Sequence, residues 1–190
     1  MVTCSRILIL GLLGLFALAA QTVSDFGFVD TEGHQHTRAE WAGKHAIVLF
    51  FLTTDCPLSN NYVPELNHLS GTYSSRGIAF YAVQGDASIS DDDVRKHAHD
   101  FAYTFPYLFD PKESLATETG ATTTPEAAVL SPAGHLLYLG RIDNRLEDFG
   151  KQRVQITEFD LRDALDAVLA GKPVAQARTK PIGCAITRKP

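Results

Sequence analysis

The feature that most constrains this chain is a seven-residue apolar run, Ala46–Leu52, which stops at Thr53-Thr54-Asp55 and gives way to Cys56-Pro57. An unbroken apolar run of that length, bounded by polar residues, reads as a strand buried in a sheet. Beyond Cys56, the residues Val63, Leu66, Leu69 and Tyr73 recur at approximately helical spacing, to about residue 75, with Gly77 as a stop. One face of that helix is expected to pack on the sheet, with Asn67, His68 and Ser70 facing outward. Pro57 suits the first helical turn, where its missing N–H costs nothing. A strand therefore delivers a cysteine to the start of a helix. The unpaired N–H groups and partial positive charge there favour thiolate over thiol, so Cys56 is the candidate nucleophile rather than an inert core cysteine.

The rest of the chain alternates in the same manner. Residues 26–30 and 34–36 flank a turn at Thr31-Glu32-Gly33 and read as a small N-terminal hairpin. His34 and His36 could share a face of it, but no third ligand is near and no metal is assigned. Trp41 reads as packing. Residues 78–83 form a second buried strand. Ser90 caps a helix whose first turn holds Asp91, Asp92 and Asp93, where acids complement the helix dipole; the alternating ligands of a calcium loop are absent. His97 and His99, two apart on that helix, point to different faces. The aromatic, proline-rich stretch 103–111 reads as core and leads to a short helix over 113–118, ended by Gly120. Residues 127–130 and 136–139 flank Ser131-Pro132-Ala133-Gly134, a hairpin signal. A long polar connection follows to Thr157, expected to cap a last helix with the apolar stripe Leu161, Ala164, Leu165, Val168 and Leu169. Strand–helix alternation closing on a hairpin and a helix fits an α/β sandwich with a mixed central sheet.

The chain has 190 residues, 45% hydrophobic and 21% charged, enough for one domain with a full core over residues 21–171. Its formal net charge of -5 and lack of basic, aromatic-rich patches exclude nucleic acid as the expected partner. Arg6 followed by an apolar run over 7–20 reads as a secretory signal peptide, residues 1–20, too short for a comfortable membrane span. The expected location is secreted or periplasmic, with an uncleaved N-terminal anchor as the alternative. Cys4 leaves with the signal, so the mature chain keeps Cys56 and Cys184. In an oxidising compartment these two are either a structural staple or a reactive and resolving pair. The tail, residues 172–190, carries Pro173, Pro181, Gly183 and Cys184 and reads as extended.

Cys56-Pro57-Leu58-Ser59 resembles the active-site turn of the thioredoxin superfamily, with Ser59 in place of the second cysteine of C-x-x-C. Pro64, eight residues beyond Cys56, matches the family's helix-kinking proline, and Thr124-Pro125 matches its cis-proline. The chain most resembles the extracytoplasmic redoxins of the AhpC/TSA and TlpA-like group, over about residues 26–169. The resemblance implies a thioredoxin-like three-layer sandwich with a mixed central sheet and an N-terminal β-hairpin. It implies thiol–disulfide exchange with protein or small-molecule thiols and disulfides, and no cofactor. Cys56 would be the nucleophile and Thr53 would support its thiolate. Pro57, Thr124 and Pro125 would line the substrate site, Pro125 forming the wall whose backbone pairs with a substrate strand. Ser59 cannot resolve a mixed disulfide, which leaves Cys184, a partner thiol or a small thiol for that step.

The alternatives are a thiol-dependent peroxidase, with peroxide as substrate, and a copper-binding or non-catalytic protein of the same fold. In the peroxiredoxin motif P-x-x-x-T-x-x-C, Thr53 and Cys56 match and Pro57 agrees with the usual next residue, while Leu49 replaces the proline. That family's arginine has no counterpart beside Thr124-Pro125, so Arg141 or Arg145 would have to act from the rim. A copper-handling protein of this fold would need two cysteines near the active turn, where this chain has one. The buried acid of thioredoxins is also missing, since Phe50 stands at its position; Asp55, next to Cys56, opposes thiolate formation.

Overall fold

The computed structural model describes residues 21–86 and 88–186. The chain opens with an antiparallel hairpin, β1 (Gly27–Val29) and β2 (Gln35–Thr37), followed by a 3-10 turn that buries Trp41. Then come β3 (Ala46–Leu52), α1 (Pro57–Tyr73), β4 (Ile78–Gln84), α2 (Asp91–Asp100), β5 (Tyr107–Leu108), α3 (Ser114–Thr119) and β6 (Thr123–Thr124). The chain closes with β7 (Glu126–Leu130), β8 (Leu136–Gly140), a small ribbon of β9 (Leu146–Asp148) and β10 (Lys151–Gln152), α4 (Asp160–Leu169) and β11 (Cys184–Ala185).

The central sheet has the order β5-β4-β3-β7-β8, with β3 parallel to β4 and antiparallel to β7. This mixed sheet, with helices on both faces and the N-terminal hairpin, is a thioredoxin-like fold. The unbroken apolar run of β3 has a simple cause. Val48, Phe50 and Leu52 belong to a core shared with α1, α2 and α4, while Ile47, Leu49 and Phe51 belong to a second core under α3, Trp41 and Phe26. A strand covered on both sides needs an apolar residue at every position. Truncating one such side chain, Phe50→Ala, would cost about 3–5 kcal/mol.

Helix α2 begins as the sequence predicts: Ser90 accepts from the Asp93 N–H, with three aspartates in the first turn. Two expectations need correction. Ser70 is buried rather than outward: it lies on the flank of α1 that carries buried Val63 and half-buried Asn67, and Asn67 ties that flank to the loop after α2 through Ala102 and Thr104. Thr157 does not cap α4, whose N-cap is Phe159; the Thr157 hydroxyl and N–H bond Asn144 and hold the preceding loop instead.

The hairpin is fastened by His36, whose two ring nitrogens lie 2.9 Å from Asp30 and 3.0 Å from Glu40. Both nitrogens are therefore occupied by carboxylates. Burial alone would lower the His36 pKa, but these bonds outweigh it and hold the imidazolium form above its ordinary range; Asp30 and Glu40 are held correspondingly low.

The C-terminal segment runs first along the free edge of β8. The Leu139 N–H donates to the Ala177 carbonyl and the Thr179 N–H to the Leu139 carbonyl. The Thr179 hydroxyl meets Tyr138 Oη at 2.6 Å and accepts from the Arg141 N–H. The segment then crosses to β6, where β11 pairs antiparallel with Cys184 opposite Thr124 and Ala185 opposite Thr123. No helix among the described residues is long and apolar enough to cross a membrane. The signal-peptide expectation, and Cys4 with it, lies outside the described residues.

Candidate active site

Three backbone segments meet at the C-terminal end of β3. The loop 53–56 leaves that strand and places Cys56 as the N-cap of α1, with Pro57 at the first helical position. The second segment is β6 and the cis peptide Thr124–Pro125. The third is β11. Cys56 and Cys184 form a disulfide across this junction, closing a separation of 128 residues. Cys56 is buried, and its Sγ lies 3.4 Å from the Thr124 carbonyl oxygen.

The structure thus brings Cys56, Pro57, Thr124, Pro125 and Cys184 together. It places two other sequence-predicted residues differently. The Thr53 hydroxyl donates to Asp55 Oδ1 at 2.8 Å, so in this state it is turned to a carboxylate rather than to sulfur. Arg141 lines a narrow cleft with Pro125, but its guanidinium is committed to Asp160, at 2.7 Å, and to Glu158. Ser59, in place of a second active-site cysteine, is fully buried one turn into α1. Asp55 is exposed, so water and salt screen its opposition to a Cys56 thiolate.

Several residues that sequence reasoning missed hold these segments in place. Asn60, one turn after Cys56, donates from Nδ2 to the Thr54 carbonyl at 3.1 Å, and its Oδ1 faces His97 Nε2 at 2.8 Å. With the amide N–H₂ given to Thr54, Oδ1 must accept, so His97 carries its proton on Nε2. Burial holds the His97 pKa below its ordinary value, against the opposing charge of Asp100. Glu126, directly after Pro125 and buried, accepts from the N–H groups of Thr122 and Thr123 at 2.8 and 3.1 Å, fixing the approach to β6. Burial raises its pKa, against the pull of those two bonds.

On the other side of Pro125, Tyr62 donates to buried Asp143 at 2.8 Å. Asp143 also accepts from Arg145 through its backbone N–H, Nε and Nη2, and the guanidinium stacks 4.1 Å over the Tyr62 ring. Burial, then Asp143, pushes the Tyr62 hydroxyl far above its usual range. Sequence alone carried one hint of this cluster, in that the loop after β8 was expected at the rim. The pairings with Tyr62 and His97 join residues 81 and 37 positions apart and leave no local pattern.

Chemically, the arrangement offers one sulfur at a helix N-terminus, a second on an adjoining strand, and a backbone edge at β6 that accepts an extended partner. A family model for the AhpC/TSA family matches residues 19–139. The chain is 28% identical over 114 residues to a thiol-disulfide oxidoreductase ResA from Geobacillus thermodenitrificans, a match covering 60% of this chain and 63% of that protein. The match thus spans just under two thirds of that relative's length. A hypothetical protein from Sinorhizobium meliloti 1021 superposes with a TM-score of 0.77 at 31% identity, over 90% of this chain and 94% of that one. A candidate thiol:disulfide interchange protein DsbE from Chlorobium tepidum shares the fold, with a TM-score of 0.55 at 22% identity over 63% of this chain and 82% of its own.

Proposed function

Because the chain belongs to the AhpC/TSA family, we propose that it is a thiol–disulfide oxidoreductase that works with Cys56 as nucleophile and Cys184 as resolving thiol. One observation carries the reading: Cys184 sits on a strand paired with β6, opposite Thr124, and is bonded to Cys56 at the head of α1. A cysteine pair serving only as a staple could join any two surfaces. This one occupies the edge beside the candidate nucleophile.

In the reduced protein the Cys56 thiolate attacks one sulfur of a substrate disulfide. The substrate S–S bond breaks, its other sulfur leaves as a thiolate, and a mixed disulfide forms. The Cys184 thiolate then attacks Cys56 Sγ and releases the substrate as a dithiol, leaving the Cys56–Cys184 disulfide. An external dithiol takes the two oxidising equivalents and restores the reduced state. The helix N-terminus stabilises the attacking and leaving thiolate at Cys56. Substrates are protein or small-molecule disulfides. We further read the chain as exported after loss of residues 1–20; a standing disulfide suits an oxidising compartment.

The test is dithiol-recycled turnover with peptide mapping under non-reducing conditions. The reading expects the Cys56–Cys184 disulfide to form during turnover and to disappear with dithiol, and Cys56→Ser to be inactive. Turnover retained in Cys56→Ser overturns it.

A further inference from the structure

The tail segment 182–186, Ile-Gly-Cys-Ala-Ile, is seated by features specific to each of its positions. Gly183 lies against the backbone of Thr124: a Cβ there would stand 2.7 Å from the Thr124 carbonyl carbon and 3.0 Å from Thr123 Cγ2, closer still to the carbonyl oxygen. No side chain fits without moving β6. Ile182 forms one wall of a narrow cleft with Tyr62, Pro125, Ile142 and Leu146, whose rim carries Arg141 and Asp143, and packs with Cys184 on the core around α1. Ala185 is exposed. Ile186 packs on the opposite core, and its N–H donates to the Thr122 carbonyl at 2.9 Å. Ile186 also reaches Gly85, where a Cβ would stand 3.6 Å from Ile186 Cγ1, an ordinary contact; the close approach at Gly85 is to Thr124 Cγ2, at 2.8 Å.

A strand held in one register, with an apolar slot two residues before the cysteine, room for glycine only at the residue before, a free position after it and an apolar seat two residues after, specifies a sequence. We propose that residues 182–186 are a tethered copy of the strand this site takes in trans. Its external substrate is a disulfide of an extended polypeptide, the attacked cysteine standing in the context apolar–Gly–Cys–x–apolar. This rests on Cys56 being the nucleophile, as argued above, and adds the substrate's class and register. The tail is then a competitor as well as a resolving arm, and partner polypeptides enter only where it has lifted from β6.

The test uses full-length Cys184→Ser and short peptides whose cysteine is activated as a mixed disulfide with thionitrobenzoate. The Cys56 thiolate attacks the peptide sulfur, the S–S bond to thionitrobenzoate breaks and that thiolate leaves; mass spectrometry reads the peptide adduct at Cys56. Ile-Gly-Cys-Ala-Ile is expected to react at least tenfold faster than Ile-Val-Cys-Ala-Ile, and severalfold faster than Ser-Gly-Cys-Ala-Ser. Adding Gly183→Val to the same protein, which drives the tail from β6, is expected to raise the rate for the first peptide severalfold. Equal rates for all three peptides overturn the template while leaving Cys56 as nucleophile. An unchanged or lower rate in the Gly183→Val protein overturns the tail as occupant. Failure of Cys56 to react with any peptide, and with activated N-acetylcysteine as well, overturns the thiol-exchange reading itself.

Discussion

Cys184 lies directly opposite Thr124 in the β6–β11 pair, and the Thr124 carbonyl oxygen is 3.4 Å from Cys56 Sγ. One residue of β6 thus sets the positions of both sulfurs. The first prediction concerns the closed loop between them. With the cysteines 128 positions apart, the bond restricts the unfolded chain, and the oxidised protein should be more stable than the reduced one by about 2–4 kcal/mol. Urea midpoints of oxidised, reduced and Cys184→Ser protein check it; the last two should agree.

Glu126 is expected to act through β6. Glu126→Leu leaves the Thr122 and Thr123 N–H groups without their acceptor; Thr122 is exposed and Thr123 half-buried, so water replaces part of it and the cost stays at about 1 kcal/mol for each. Glu126→Gln keeps an acceptor oxygen. The rate of Cys56–Cys184 closure after oxidation should fall in the leucine variant and be largely restored in the glutamine variant, as followed by thiol trapping.

Asp143→Ala should be the most damaging single change outside the cores. It strips a buried acceptor from Tyr62 and leaves the Arg145 guanidinium with its stacking on Tyr62 and the longer 3.8 Å ion pair to Glu65. Removing one partner of a buried pair costs about 3–5 kcal/mol, and partial exposure of Arg145 sets this case toward the lower end. Thermal or urea unfolding measures it. Asp143→Asn, which can still accept from Tyr62, should lose less.

Stability should also depend on pH through His36. Its folded pKa is raised by Asp30 and Glu40, so its contribution is complete below about 6.5, the ordinary histidine value, and is lost as pH rises through the folded value. Asp30 and Glu40, held low, lose their contribution as pH falls through the acid range. His97 works in the opposite sense to His36: held low by burial, it costs stability as pH drops below about 6.5. Subtracting the His36→Gln profile from that of the parent isolates the first effect. The difference in urea midpoint should shrink between pH 6 and pH 9.

Peroxide should be a poor substrate. Arg141 is tied to Asp160 and Glu158, and Arg145 to Asp143, so neither is free to hold an anionic oxygen beside Cys56. Hydrogen peroxide consumption by the reduced protein is expected within a few fold of a free-thiol control, and Arg141→Lys should leave it unchanged.

Much of the frame was legible because its signals are local. A seven-residue apolar run, too short for a buried helix and ended by polar residues, fits a strand covered on both faces, and Ser90 with three aspartates marks a helix start. The cysteine at the head of α1 and the Thr124-Pro125 turn were likewise visible in short stretches. What stayed hidden depends on separate segments meeting. Ser70 was assigned to solvent because the flank it shares with Asn67 meets the loop after α2, more than thirty positions later. Thr157 has the side chain of a cap, but the nearby amide of Asn144 claims it first. His97 gave no sign that its partner would be Asn60, nor Asp143 that it would face Tyr62. The direction of the Thr53 hydroxyl was beyond reach for the same reason, since Asp55 competes for it at 2.8 Å.

The run of the chain along β8 has a consequence for the protein's behaviour in a crowded solution. An uncovered sheet border with unpaired N–H and C=O groups is a template for adding strands from neighbouring molecules. Here the carbonyl of Ala177 and the N–H of Thr179 occupy Leu139 on that border, while the segment that carries Cys184 begins several residues later. The two attachments are separable, so lifting residues 182–186 would leave the β8 border covered. Such a movement at the Cys56–Cys184 pair would not offer the sheet for self-association.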